Sequence, residues 1–307
     1  MRLPRTLPTP PIKHVASGVA AAQRAFGEAL RSRVAGSDAG ERGQSIWGKP
    51  GPRWFAPEDP IWRVHEDASM FVGGVAALLL QSLHPAAMAG VAGHSGYRSD
   101  PWGRLRRTAD YIAYTTYATI PDAEAAIARV RAAHERVRGR DEAGRPYRAS
   151  DPHLLAWVHA AETESFLGAY QEYGSGRLSA AEADTYVRQA GVAAGLLGVV
   201  DPPASVWDLR ATLEAYRPEL ELTAAARDAA RFLIVSPPLP LAARPGYATL
   251  VAGAIAILPD WARTMLVLPL DRLAALAGRP LGRIGAGAVR WGLAGVGEGR
   301  RSAPPVS

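Results

Sequence analysis

The chain has 307 residues, 48% of them apolar, at a mean hydropathy of −0.05. A chain of this size can bury about 75% of its unfolded surface, which excludes a disordered chain and a small stapled scaffold. No residue is cysteine, so disulfides, thiolate ligands and iron–sulfur clusters are excluded and any metal must be held by His, Asp, Glu or Tyr. All 35 basic residues except Lys13 and Lys49 are Arg, and the net charge is +6. That charge permits an anionic partner, but acids are interspersed and no long run of one sign occurs, which argues against a nucleic-acid partner. The excess concentrates in residues 98–148, where 11 Arg face 7 Asp and Glu, a local +4.

In chain order, residues 1–15 are rich in Pro and Arg and are expected to be a mobile tail. They contain no apolar region of a secretory signal and no paired arginines. Gly36 to Pro60 is crowded with turn formers and is expected to be a long connection or lid. Ser69 to Leu83 reads as a buried apolar helix, with Pro85 kinking it or restarting it as a segment running to His94. The longest apolar run, Met70 to Leu80, has 11 residues against the ~20 needed to span a bilayer, so a soluble, cytoplasmic protein without a transmembrane segment is expected.

Pro101 to Thr119 follows as a helix. The next opens on Pro121, Asp122 and Glu124 and closes on Arg136, Arg138 and Gly139, as the helix dipole favours. Asp151 and Pro152 start a helix through Tyr170. Ser179 with Glu182 forms a capping box for a helix ending near Gly198, and Ser205 with Asp208, and Thr223, start two more. After the break at Pro237–Pro240, helices are expected over Leu241–Leu258 and Trp261–Leu276. No sustained period-two alternation or repeat appears. The chain therefore reads as one all-α domain of eight to ten helices, residues 16–296, followed by a mobile tail at 297–307.

Several catalytic motifs fail. Gly93-His94-Ser95-Gly96 has Tyr97 where a nucleophile elbow needs glycine, Gly282 to Gly287 has its glycines in the wrong order for a dinucleotide fingerprint, and His134-Glu135 lacks the second His of a zinc protease helix. Two helices carry more. On the first, His134 shares a face with Ile127, Val130 and Val137 and should point inward, with Arg131 one turn before it. An imidazole among aliphatics is either a satisfied core histidine, the commoner case, or a metal ligand. On the second, Arg104, Arg107, Thr108, Tyr111 and Thr115 form one polar stripe. It is either a solvated arginine face or the wall of a cavity presenting donors to an anion or an oxygen adduct. His159 faces inward with Leu155 and Phe166 and rivals His134; His84 precedes Pro85; His14, His65 and His153 read as structural.

Read together, Asp59–His65 (DPIWRVH), Leu78–Pro85 (LLLQSLHP), Gly90–Ser95 (GVAGHS), Asp100–Thr108 (DPWGRLRRT) and Arg131–His134 (RAAH) resemble the MpaB-type oxygenase family, which includes the catalytic domain of the rubber-cleaving latex-clearing protein. The likeness covers about residues 50–270. It implies an all-α fold with a globin-like core around haem b, and oxidative cleavage of an isoprenoid carbon–carbon double bond by dioxygen. By the resemblance His134 is the proximal iron ligand, and Arg104 and Thr108 are the pocket Arg and Thr. Arg107 stands where the rubber-cleaving members carry a distal lysine; an arginine stays protonated, so a lysine-capped iron is not expected here. No counterpart of their distal glutamate is found near Leu83 to Gly90.

The expectation is thus a haem b oxygenase using O2 on a hydrophobic small-molecule substrate, with Arg104, Arg107 and Thr108 polarising oxygen or positioning substrate. His134, Arg131 and Tyr111 hold the cofactor in this reading. The apolar helices Ser69–Gly90 and Leu241–Leu276 suit a channel to the haem, or docking on a membrane face or another subunit. A haem-free lipid carrier and a non-haem metalloenzyme using His134 with His159 or His84 and a carboxylate such as Glu162 are the alternatives.

Overall fold

In a computed structural model of the chain, which describes residues 23–28, 43–94, 96, 98–266 and 271–295, the capping signals mark most helix starts correctly. Both expected tails lie outside the described residues. Twelve α-helices between residues 60 and 294 and one short hairpin form most of the regular structure among the described residues. The helices are α1 (Pro60–Glu66), α2 (Met70–Gln81), α3 (Pro85–His94), α4 (Pro101–Tyr117), α5 (Ile120–His134), α6 (Pro152–Tyr173), α7 (Ala180–Leu197), α8 (Val206–Tyr216), α9 (Ala224–Ile234), α10 (Arg244–Ile257), α11 (Asp260–Met265) and α12 (Asp271–Ala294). The chain is an all-α domain.

Local chemistry sets the starts. Asp151 accepts from the His153 N–H at the head of α6, Ser179 and Glu182 form the reciprocal box of α7, and Ser205 and Thr223 cap α8 and α9. Prolines stand in the first turn of α1, α4, α5 and α6, where a missing N–H costs nothing. Pro85 restarts the chain after α2, and α3 leaves at a bend of 108°.

The core lies where α2 and α6 cross. Val72, Leu79, Leu80 and Leu83 meet Trp157, Phe166 and Tyr170 there, all buried. A methyl group on Gly73 would sit 2.9 Å from Phe166 Cδ1 and 3.2 Å from the Phe166 Cα, so glycine is what lets the two helices approach this closely. No single helix among the described residues is long and apolar enough to cross a membrane.

Three expectations are narrowed or corrected. Of the two readings of the turn-rich stretch, connection or lid, the described part from Gly43 to Asp59 is a pinned connection, residues 36–42 lying outside the described set. Arg53 donates to the carbonyls of Tyr117 and Lys49, each at 2.9 Å, and the Ile120 N–H donates to the Pro52 carbonyl at 2.8 Å. After α5 stops at His134, Arg138–Arg140 (β1) pairs antiparallel with Pro146–Arg148 (β2), strands too short to show alternation. Asp141 holds the intervening turn, accepting from the backbone of Ala143 and Arg145 and from Arg145 Nε.

The third correction is at the C-terminal end. The expected helix Trp261–Leu276 is replaced by the short α11 and by α12, which runs on to Ala294 through Pro280. Helix packing overrides local propensity here. Gly282 of α12 lies against Gly253 of α10 so closely that a methyl group on either would come within 2.7 Å of the other's Cα. The glycine run that fails as a phosphate loop is a helix-crossing surface.

Candidate functional site

The polar stripe of α4 runs from water into the interior. Asp100 caps the helix by accepting from the Gly103 N–H at 2.8 Å. Arg104 is half-buried, while Arg107 and Thr108 are exposed. Arg107 Nη1 lies 3.5 Å from Asp100 Oδ2, and the Thr108 hydroxyl donates to the Arg104 carbonyl of its own helix at 3.2 Å. Two turns beyond Arg104, burial and then the negative charge of Glu162 push the Tyr111 phenol well above its ordinary range. Tyr111 therefore stays a neutral O–H at physiological pH.

α5 packs against α4 and ends on His134. Ile127 is buried on the same face, and Val130, His134 and Val137 are half-buried. His134 Nδ1 is buried with no hydrogen-bond partner, and burial lowers the imidazole's pKa against the opposing pull of Glu135. The ring is thus held neutral. Arg131, one turn earlier, is exposed.

α6 brings two more titratable groups inward at i and i+3. Burial lowers His159 to about 4; its Nε2 is buried without a partner, and its Nδ1 lies 3.4 Å from Thr163 Oγ1. Burial raises the Glu162 carboxyl to about 7, and its charge also acts on Tyr186 of α7. His65 of α1, lowered by burial to about 3, lies with Nδ1 2.8 Å from Thr116 Oγ1 and Nε2 3.3 Å from the Tyr186 hydroxyl. Groups from α1, α4, α6 and α7 thus make a buried polar region with neutral imidazoles and a carboxyl able to exchange a proton near neutrality.

A second cluster was not legible in the sequence. His84 at the α2–α3 bend, His153 in the first turn of α6 and Glu219 after α8 place one potential ligand atom each within 4.8 Å of one another. Each adjoins a proline at or near the start of a helical turn, Pro85, Pro152 and Pro218, but such pairs are common and nothing in their spacing links them. His14, Ser95 and Tyr97 lie outside the described residues.

A model of the family described as ER-bound oxygenase mpaB/B'/rubber oxygenase, catalytic domain, matches residues 62–291, from α1 into the last turns of α12. Neither the curated proteins nor the solved structures include one that matches the chain.

Proposed function

Because the chain belongs to the family of mpaB and rubber oxygenase catalytic domains, and is an oxygenase on that ground, we propose that it uses haem b and O2 to cleave a carbon–carbon double bond in an apolar, isoprenoid or otherwise unsaturated substrate. The observation that carries the haem reading is the neutral imidazole of His134 with a buried nitrogen lacking any partner. Such an orphaned atom costs about 1–3 kcal/mol, and a bound iron, or a group that fixes the ring while iron takes the other nitrogen, removes that cost.

Haem b, when bound, supplies the iron at which dioxygen is activated. The residues of the chain do the rest. Arg104, half-buried, donates hydrogen bonds where water competes less than it does at Arg107, and Thr108 adds a hydroxyl to the same face. Arg131 suits a propionate. Tyr111 offers a neutral donor, and Glu162 can hold or release a proton at its carboxyl near pH 7. Leu105, exposed beside Thr108 on α4, and the apolar helices α2 and α10 suit a hydrophobic substrate.

Reconstitution with haemin tests this directly. A Soret band is expected from the whole chain, with O2 consumed on isoprenoid substrates and not on small polar compounds. Absence of the band overturns the haem reading. His159 supports a second reading, since its Nε2 is also orphaned and Glu162 stands one turn away; iron bound stoichiometrically without porphyrin, and lost in His159→Ala, would establish it.

A further inference from the structure

We propose that His84, His153 and Glu219 form a second, independent site for a divalent cation of the zinc class, which ties the α2–α3 bend and the start of α6 to the turn after α8. The argument begins with Tyr216. Its hydroxyl donates to the His153 carbonyl at 2.6 Å, and the same oxygen lies 3.2 Å from His153 Nδ1. With its hydrogen committed to the carbonyl, the phenol oxygen can only accept from Nδ1–H. That puts a hydrogen on Nδ1 and leaves the outward-turned Nε2 for a proton or a metal ion, as supporting hydrogen bonds do for metal-binding histidines.

Nε2 faces a carboxylate, with Glu219 Oε1 and Oε2 at 3.0 and 2.9 Å. So close an approach of a ring nitrogen to two carboxylate oxygens calls for a proton or a metal ion between them. A proton would serve one pair. It would leave His84 unexplained: the residue is 8% exposed, its Nε2 lies 3.7 Å from Glu219 Oε2, and neither ring nitrogen has a hydrogen-bond partner. A metal ion engages all three groups and satisfies the buried imidazole.

Metal–donor distances of 2.0–2.2 Å at tetrahedral angles put donor atoms roughly 3.3–3.6 Å apart. The His153–Glu219 and His84–Glu219 separations, 2.9 and 3.7 Å, fall on either side of that range, and all three ligand atoms lie within 4.8 Å of one another. Two imidazoles and one carboxylate are a zinc-type set with a fourth position for water. The ring centroids of Trp157 and Tyr216 lie 6.1 and 6.2 Å from that of His84 and wall its inner side, while the exposed side chains of His153 and Glu219 give the ion a way in. Arg145, the nearby positive charge, is engaged by Asp141 at 2.7 Å and faces Glu221 at 4.0 Å. The Glu221 N–H donates to the Leu83 carbonyl at 2.8 Å, so the turn carrying Glu219 is already fixed beside His84.

The test uses the full chain, stripped with chelator and free of haem. Titration with Zn2+ by calorimetry should show one site per chain and raise Tm, and Co2+ should give the intense visible bands of four-coordinate geometry. His153→Ala, at an exposed ligand, should fold and weaken binding by ~100-fold or more. Tyr216→Phe should weaken it by roughly 10–100-fold, an effect that a simple His–Glu ion pair would not produce. His84→Ala should abolish the cobalt bands; if it does not fold, His84→Gln serves. Zinc binding unchanged in His153→Ala, or no stoichiometric uptake at all, overturns the site. Neither outcome bears on the Soret test of His134.

Discussion

Helices α4 and α6 each carry polar residues from water into the interior, and their two ends behave differently. At the outer ends, Arg107 and His153 keep exposed side chains and pair with carboxylates. At the inner ends, Tyr111, His159 and Glu162 are shifted chiefly by burial. Exclusion of water, more than residue type, separates a surface charge from a group poised for chemistry. Six residues along one helix, two histidines have opposite environments.

The largest effect that would break this comparison is at His134. His134→Ala should remove the Soret band of the haemin-loaded protein almost completely, whereas His159→Ala should retain it. If the two results are exchanged, the inner end of α6 holds the ligand and the role of Arg104 must be reassigned. Next comes Arg104→Ala, which should keep haem but lower turnover by ~10²–10³, the range for losing one donor to developing charge. Thr108→Ala should cost less, because its hydroxyl is exposed and bonded to its own helix. A Thr108 effect as large as that of Arg104 would mean that the outer end of α4 reaches the reacting atoms.

The inner groups also set how stability depends on pH. His159 and His65 have folded pKa values below the ordinary 6.5, so their contributions are complete above that value and lost as pH falls through about 4 and about 3. At ~1.36 kcal/mol per unit, these are on the order of 3 and 5 kcal/mol. Glu162 has the opposite sign. Its folded pKa of about 7 lies above 4.5, so stability is lost as pH rises between those values, by up to about 3 kcal/mol. Urea unfolding from pH 4 to 8 should show Glu162→Gln equal to the parent near pH 4.5 and more stable above pH 7. Parallel curves would mean that the carboxyl is solvated.

How much of this was legible in the sequence follows the range of the forces involved. Caps act within three or four residues, so Asp151, Ser179, Ser205 and Thr223 could be read directly. The inward face of His134 could be read from helical spacing. The continuation of α12 through Pro280 could not, because close packing of Gly253 on Gly282 outweighs local preference. His84, His153 and Glu219 meet only through the fold. On helical spacing alone Arg107 looks equivalent to Arg104, and it is burial that gives the two different surroundings.

That last distinction yields the smallest predicted effect. Arg107 Nη1 pairs with Asp100 at 3.5 Å, and both side chains are more than half exposed, at 65% and 56%. Such pairs contribute roughly 0–1 kcal/mol, so Arg107→Ala should change stability by less than ~1 kcal/mol in urea unfolding and lower turnover by less than tenfold. Arg107→Lys sharpens the test, since a lysine can lose its proton where an arginine cannot. An exposed lysine paired with Asp100 should stay charged and leave the ferric spectrum of the haemin-loaded protein unchanged. A shift to a six-coordinate low-spin spectrum would show that position 107 turns inward to the iron when haem is bound, and the division between the inner and outer ends of α4 would then have to be redrawn one turn nearer the surface.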